Sequence, residues 1–200
     1  MLVTRLLRVV AVVLACVLDA GVAGQSGGRV LVAHVFSTSA QDWLISGDTG
    51  LAAPEFHAAG GHPDGFISNE DEALGETWYF RAPGSVLTQL AAAEHGTLSY
   101  DLRQSVDEPG FLDDDVVIVG PAGRLSYRFR ESPGTDWTSF SVSLSASAGW
   151  RWNWNATATQ EQIRRVLDNP TSLEIRGEYH TGPDVGGLDN VVLKTGTPPR

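Results

Sequence analysis

The sequence predicts an all-β fold, two facing sheets with one short helix, on three observations. Short runs alternate apolar and polar side chains, the period-2 pattern of strands with one face buried. Clusters of Gly, Pro, Asn and Asp separate those runs, as hairpin and loop connections require. One segment, residues 159–168, carries helical spacing instead.

Taken in order, residues 1–24 read as a signal peptide. Arg5 and Arg8 precede an apolar run at residues 9–18, and small residues follow up to Gly24, an order that matches a secretory leader and is too short to span a bilayer. Secretion or display at the cell surface is the expectation. The alternative is a lipoprotein anchored through Cys16, since Val13-Leu-Ala-Cys16 resembles a lipidation box. Residues 25–34 read as a lead-in, 35–193 as one domain and 194–200 as a polar, disordered tail.

Inside the domain, residues 77–82 put Trp78, Phe80 and Ala82 on one side, and residues 97–102 do the same with Leu98, Tyr100 and Leu102. Residues 125–130 set Leu125, Tyr127 and Phe129 against Ser126, Arg128 and Arg130; residues 138–144 set Phe140, Val142 and Leu144 against three serines. These are half-buried strands. Residues 115–119 lack alternation and read as a central strand buried on both faces. The helix has Thr159 and Gln162 placed for a capping box, an apolar stripe of Ile163, Val166 and Leu167, and Pro170 beyond its end. Residues 173–180 and 188–193 read as a closing hairpin. Leu173, Ile175 and Tyr179 would face the core, and Glu174, Arg176 and Glu178 would face water.

Several stretches in order resemble one family. Phe36, Asp42-Trp43 and Gly47-Asp48 are followed by Gly60-Gly-His-Pro-Asp-Gly-Phe-Ile67, Trp78-Tyr-Phe-Arg-Ala-Pro83 and Leu98-Ser-Tyr-Asp-Leu102; Asp115-Val-Val-Ile-Val-Gly120 and the two C-terminal runs complete the set. Together they resemble the laminin B domain, also called laminin IV type A, over residues 35–193. The resemblance implies a jelly-roll β-sandwich similar to galactose-binding domains, and a stand-alone exported member is the expectation.

Composition removes several function classes. The net charge is −10, the opposite of the basic footprint that a nucleic-acid partner needs. Cys16 is the one cysteine, so a processed chain has no disulfides or thiol nucleophile and must hold itself by packing or bound ions. His-Glu-x-x-His and phosphate-loop motifs are lacking, and His34, His57, His62, His95 and His180 show no zinc spacing. No catalytic residue is assigned. The enzyme alternative is a glycan hydrolase or lyase using a carboxylate pair such as Glu174 and Glu178.

Two binding expectations remain. A structural calcium ion wants several oxygen ligands from acidic, glycine-rich loops; Asp64, Asp71 and Asp189 are the candidates, with residues 113–115 as another acidic run that is more simply a solvated turn. The resemblance points the same way, since related sandwiches tie the first loop to the last strand through such an ion. For a glycan, Trp150-Arg-Trp-Asn-Trp154 would put three indoles on one side if extended; Trp150 is assigned to the core, and Trp152 and Trp154 to an open stacking surface. Arg128 and Arg130 share one strand face as candidate ligand contacts. The expected function is an exported, calcium-stabilised adhesion or carbohydrate-binding module whose partner is a glycan, a matrix component or an envelope component. A purely structural envelope protein is a further alternative.

Overall fold

The computed structural model describes residues 28–47, 50–71, 75–107 and 110–196. The signal peptide, Cys16, Asp48 and residues 197–200 lie outside them.

Two antiparallel sheets pack face to face. The first runs β10 (Thr138–Ser143), β7 (Thr97–Gln104), β14 (Val185–Lys194), β5 (Phe66–Glu70) and β4 (Glu55–His57), and β1 (Val30–His34) also pairs with β14. The second runs β12 (Ala156–Thr157), β11 (Arg151–Trp152), β9 (Gly123–Tyr127), β8 (Val116–Gly120), β13 (Ser172–Arg176), β6 (Tyr79–Arg81), β2 (Leu44–Gly47) and β3 (Gly50–Ala52). The alternation read from sequence fills the space between them. Leu98, Tyr100 and Leu102 of β7 meet Leu173 and Ile175 of β13, Phe80 and Ile118 in one buried core. As expected, β8 is central and buried, because its neighbours β9 and β13 both pair with it.

The helix α2 (Gln160–Asp168) forms as its spacing predicts. Gln162 N donates to Thr159 Oγ1 at 3.3 Å, Thr159 N donates to the Gln162 side chain at 2.8 Å, and Ile163, Val166 and Leu167 are buried. A four-residue helix α1 (Gly84–Leu87) follows Pro83 and was not anticipated.

Four expectations need correction. Residues 30–34 are not a lead-in: β1 pairs with β14 from Val30 opposite Lys194 to His34 opposite Val191. The order also continues past Leu193, since Thr195 N donates to Arg29 O at 2.9 Å. The C-terminal runs are not a hairpin; β13 belongs to one sheet and β14 to the other, so the loop between them crosses the sandwich. Finally, Arg176 and Glu178 do not face water, being 2% and 7% exposed.

That crossover explains the burial. After β13 the chain turns into the sandwich edge, where Gly177 and Gly186 lie against the Trp78 indole: a Cβ on Gly177 would come within 1.8 Å of that ring. Trp78 thus sits where two backbones must approach closely, which only residues without a side chain allow. In β14 the partners change midway. β5 pairs with Val185–Leu188 and β1 with Val191–Lys194, and one extra residue bulges between Asp189 and Val192 opposite β7. Asn190 takes a left-handed φ of 51° there.

Candidate functional site

On the outer face of the eight-stranded sheet, register brings basic side chains together. Arg124 of β9 lies opposite Val119, two residues along Ser126 lies opposite Val117, and Arg151 of β11 lies opposite Ser126. Side chains two apart share a face, so Arg124, Arg128 and Arg151 all project there. Their common partner is Asp114, just before β8. Asp114 is 5% exposed, and its carboxylate accepts from Arg124 Nη1 at 2.9 Å and Arg151 Nη2 at 3.0 Å, with Arg128 Nη2 at 3.6 Å. Arg128 also donates Nε to the Asp113 carbonyl at 2.7 Å. The acidic run at residues 113–115 is therefore not a solvated turn; Asp114 and Asp115 are buried against arginines. Burial and the Asp113 carboxylate also hold the neighbouring Tyr79 phenol well above its ordinary pKa.

The tryptophan run completes this face. It is not extended: Asn153 and Trp154 adopt φ of 42° and 82°, left-handed values that side-chain-bearing residues avoid. They form the turn of the β11–β12 hairpin, pinned by Asn153 N to Arg124 O at 2.9 Å and Arg124 N to Asn153 Oδ1 at 3.0 Å. The three indoles therefore diverge. Trp150 is fully buried, as expected. Trp152 is half-buried, packed on the core with its ring over Gly123, where a Cβ would fall within 2.3 Å. Trp154 is 62% exposed, with the Arg124 guanidinium 4.0 Å from its ring centroid. That geometry is a cation–π contact on one face of the ring.

Arg130 does not join Arg128. The strand ends at Tyr127, and Arg130 lines a separate cleft of about 320 Å³ beside edge strand β10, with Phe129, Glu131, Phe140 and Ser141. The outer face of the six-stranded sheet carries a cluster that the sequence pattern does not single out. Arg103 lies 4.5 Å from the Phe66 ring centroid and 4.9 Å from that of Trp137, and His57 stacks on Phe66 at 4.3 Å. Phe66 and Trp137 fall on different segments with no spacing in common, so only the fold joins them.

The expected calcium acids do not form one ligand set. Asp189 is fully buried, and its oxygens accept from His62 N and Asn190 N, both at 2.6 Å. Asp64 is exposed on the loop that carries His62, and its carbonyl accepts from Gly61 N at 2.8 Å. Asp71 lies elsewhere, its N–H donating to Asp184 O at 2.9 Å. Among the described residues, no group of three or more His, Asp or Glu side chains is arranged to hold a metal ion.

Asp71 instead joins a buried acidic neighbourhood that the sequence hid. Asp184 is 1% exposed, and neither carboxylate oxygen makes a well-formed hydrogen bond. Burial, with Asp71 adding repulsion, pushes its pKa up. Glu178 is raised to about 7, first by burial and then by Asp71 and Asp184, against the Trp78 N–H that donates to it at 3.0 Å. Glu174 faces elsewhere, ion-paired to Arg81 at 2.8 Å, so the two glutamates proposed as an acid pair have separate surroundings and engaged oxygens.

Comparisons with known proteins agree on the fold. The L4b domain of human laminin alpha-2 superposes with a TM-score of 0.61 at 13% identity, covering 84% of this chain and 99% of that one. CtCBM11, known from a solution structure with dynamics and binding studies, gives 0.52 at 14% identity over 86% and 98%. No curated protein sequence matches this chain. A sequence model of the family described as Laminin B (Domain IV) matches residues 79–200, well over half the chain, and the chain belongs to that family.

Proposed function

We propose that this chain is an exported, non-catalytic carbohydrate-binding or adhesion module, and that its glycan contacts the face formed by Trp154, Arg124, Arg128 and Arg151. The observation that carries this reading is Trp154. A large indole held in the open costs hydrophobic burial, and the strained turn beneath it costs more, so both persist only where the surroundings impose them or function uses them. A flat ring beside hydrogen-bond donors suits a pyranose, whose C–H face is apolar and whose hydroxyls need partners. The fold is shared with CtCBM11, known from binding studies, which supports a binding module over an enzyme.

The experiment is a glycan-array screen of residues 25–200, followed by titration of hits against Trp154→Ala. Binding should fall at least tenfold while the melting temperature stays unchanged, because an exposed side chain contributes little to folding. Equal binding by the variant would reject the site; sugar cleavage by the native protein would favour the enzyme reading.

Calcium enters the proposal as a stabilising ion near Asp71 and Asp184. Its support is the buried carboxylate of Asp184, neither oxygen of which makes a well-formed hydrogen bond, since ionising such a group is costly unless positive charge is close. Adding calcium to chelator-treated protein at pH 8 should raise the melting temperature by several degrees, and magnesium should do so less. No shift would remove the ion from the proposal.

A further inference from the structure

The arginine cluster says more about the ligand than that it is a sugar. Three guanidiniums converge on Asp114, and Asp113 is the acid next to it, its carbonyl accepting from Arg128. Asp113 is itself engaged, accepting from Thr77 Oγ1 at 2.6 Å and from Asp114 N at 2.7 Å. With the Arg81–Glu174 ion pair on the same face cancelling, the three arginines against these two acids leave one uncompensated positive charge on a chain of net charge −10. The guanidiniums also keep unused donors. Arg124 gives one hydrogen bond to Asp114, Arg151 one, and Arg128 one to the Asp113 carbonyl, out of five N–H groups each. Arg128 and Arg151 are about a third exposed and Arg124 is 16% exposed, so the free donors border solvent, those of Arg124 beside the Trp154 ring.

Resting on the reading of this face as a glycan site, we propose that it selects an acidic glycan, with a uronic acid carboxylate held by the Arg151 and Arg128 forks while its pyranose lies against Trp154. Two features favour a carboxylate. Guanidinium forks match its planar pair of oxygens in two parallel hydrogen bonds. Asp114 already presents one carboxylate to the same three arginines, so the cluster is preorganised for that chemistry and loses little freedom on binding a second.

The test uses calorimetric titration of residues 25–200 with a uronic-acid oligosaccharide, its carboxyl-reduced neutral counterpart, and a sulfated neutral oligosaccharide of equal length. The native protein should bind the uronate at least tenfold more tightly than the reduced sugar, and the preference should shrink as salt rises from about 50 to 500 mM. Arg151→Gln should lose most of that preference, its affinity for the uronate falling much further than its affinity for the neutral sugar; Trp154→Ala should weaken both. Melting curves establish that each variant is folded, and Arg128→Gln provides a second probe of the same donors. Equal affinity for uronate and reduced sugar, or a preference for the sulfated one, overturns this inference and leaves the glycan-site reading standing. Binding of none of the three overturns both.

Discussion

Arg176→Ala should cost the domain about 3–5 kcal/mol in denaturant unfolding, the range for breaking a buried charge network. Arg176 is 2% exposed. Its Nε donates to Glu178 O at 2.6 Å and its Nη2 to Phe111 O at 2.8 Å, and Nη1 faces Asp115 Oδ1 at 3.6 Å. The guanidinium is stacked 4.5 Å from Phe111 and 4.2 Å from Tyr179. Alanine leaves a cavity, strips two carbonyls of their donor and leaves Asp115 buried at 4% exposure without its cation. Lysine should recover only part, since a point charge cannot satisfy both carbonyls from one plane. The pH dependence separates charge from packing. Asp115 already has a raised pKa, from burial first, and without Arg176 it should take up a proton more readily. The loss should therefore be smaller at pH 5 than at pH 8; an equal loss at both would mean that packing alone matters.

The second large effect is a pH dependence centred on Glu178. Its folded pKa of about 7 lies above the ordinary 4.5, so the folded state binds the proton more tightly than the unfolded chain does. Its stabilising contribution is complete below about pH 4.5 and is lost as pH rises through about 7. At about 1.36 kcal/mol per pKa unit the rise from 4.5 to about 7 corresponds to about 3.4 kcal/mol, which solvent reaching the carboxylate lowers to about 2–3 kcal/mol. Asp184 adds to the same trend through its own upward shift. Unfolding free energies measured in chelator from pH 4.5 to 8 should fall accordingly. Glu178→Gln keeps an oxygen for the Trp78 N–H and never ionises, so it should flatten the profile and exceed the native protein in stability at pH 8. A variant with an unchanged slope would assign the dependence to other groups.

Both effects sit where reading from sequence failed, and for one reason. Alternation reports which side of a strand a residue occupies, and it placed Leu173 and Ile175, the β7 apolar face and the α2 stripe correctly. It does not report whether the other side is also covered. Arg176 and Glu178 alternate as solvated residues do, yet the crossover from β13 to β14 and the Phe111 segment close over them. The candidate site was legible in part. Trp154 and Arg128 were identifiable by residue type and spacing; Arg124 lies on the Trp154 ring and shares Asp114 with Arg128. Asp114, Arg124 and Arg151 complete the face through strand pairing between segments 27 residues apart in sequence, which periodicity within one segment cannot show. The Trp150–Trp154 run misled because two left-handed residues break the extended geometry that alternation assumes.

The pairing of β1 with the end of β14 also sets how the domain bears load. Val30 lies opposite Lys194, and Thr195 reaches back to Arg29, so a pull on the two chain ends acts crosswise on adjacent antiparallel strands and peels their hydrogen bonds apart one at a time. Strands pulled along their length would share tension across the whole ladder. Stretched from its ends, this domain should yield at low force, β1 detaching first while the rest of the sandwich stays closed.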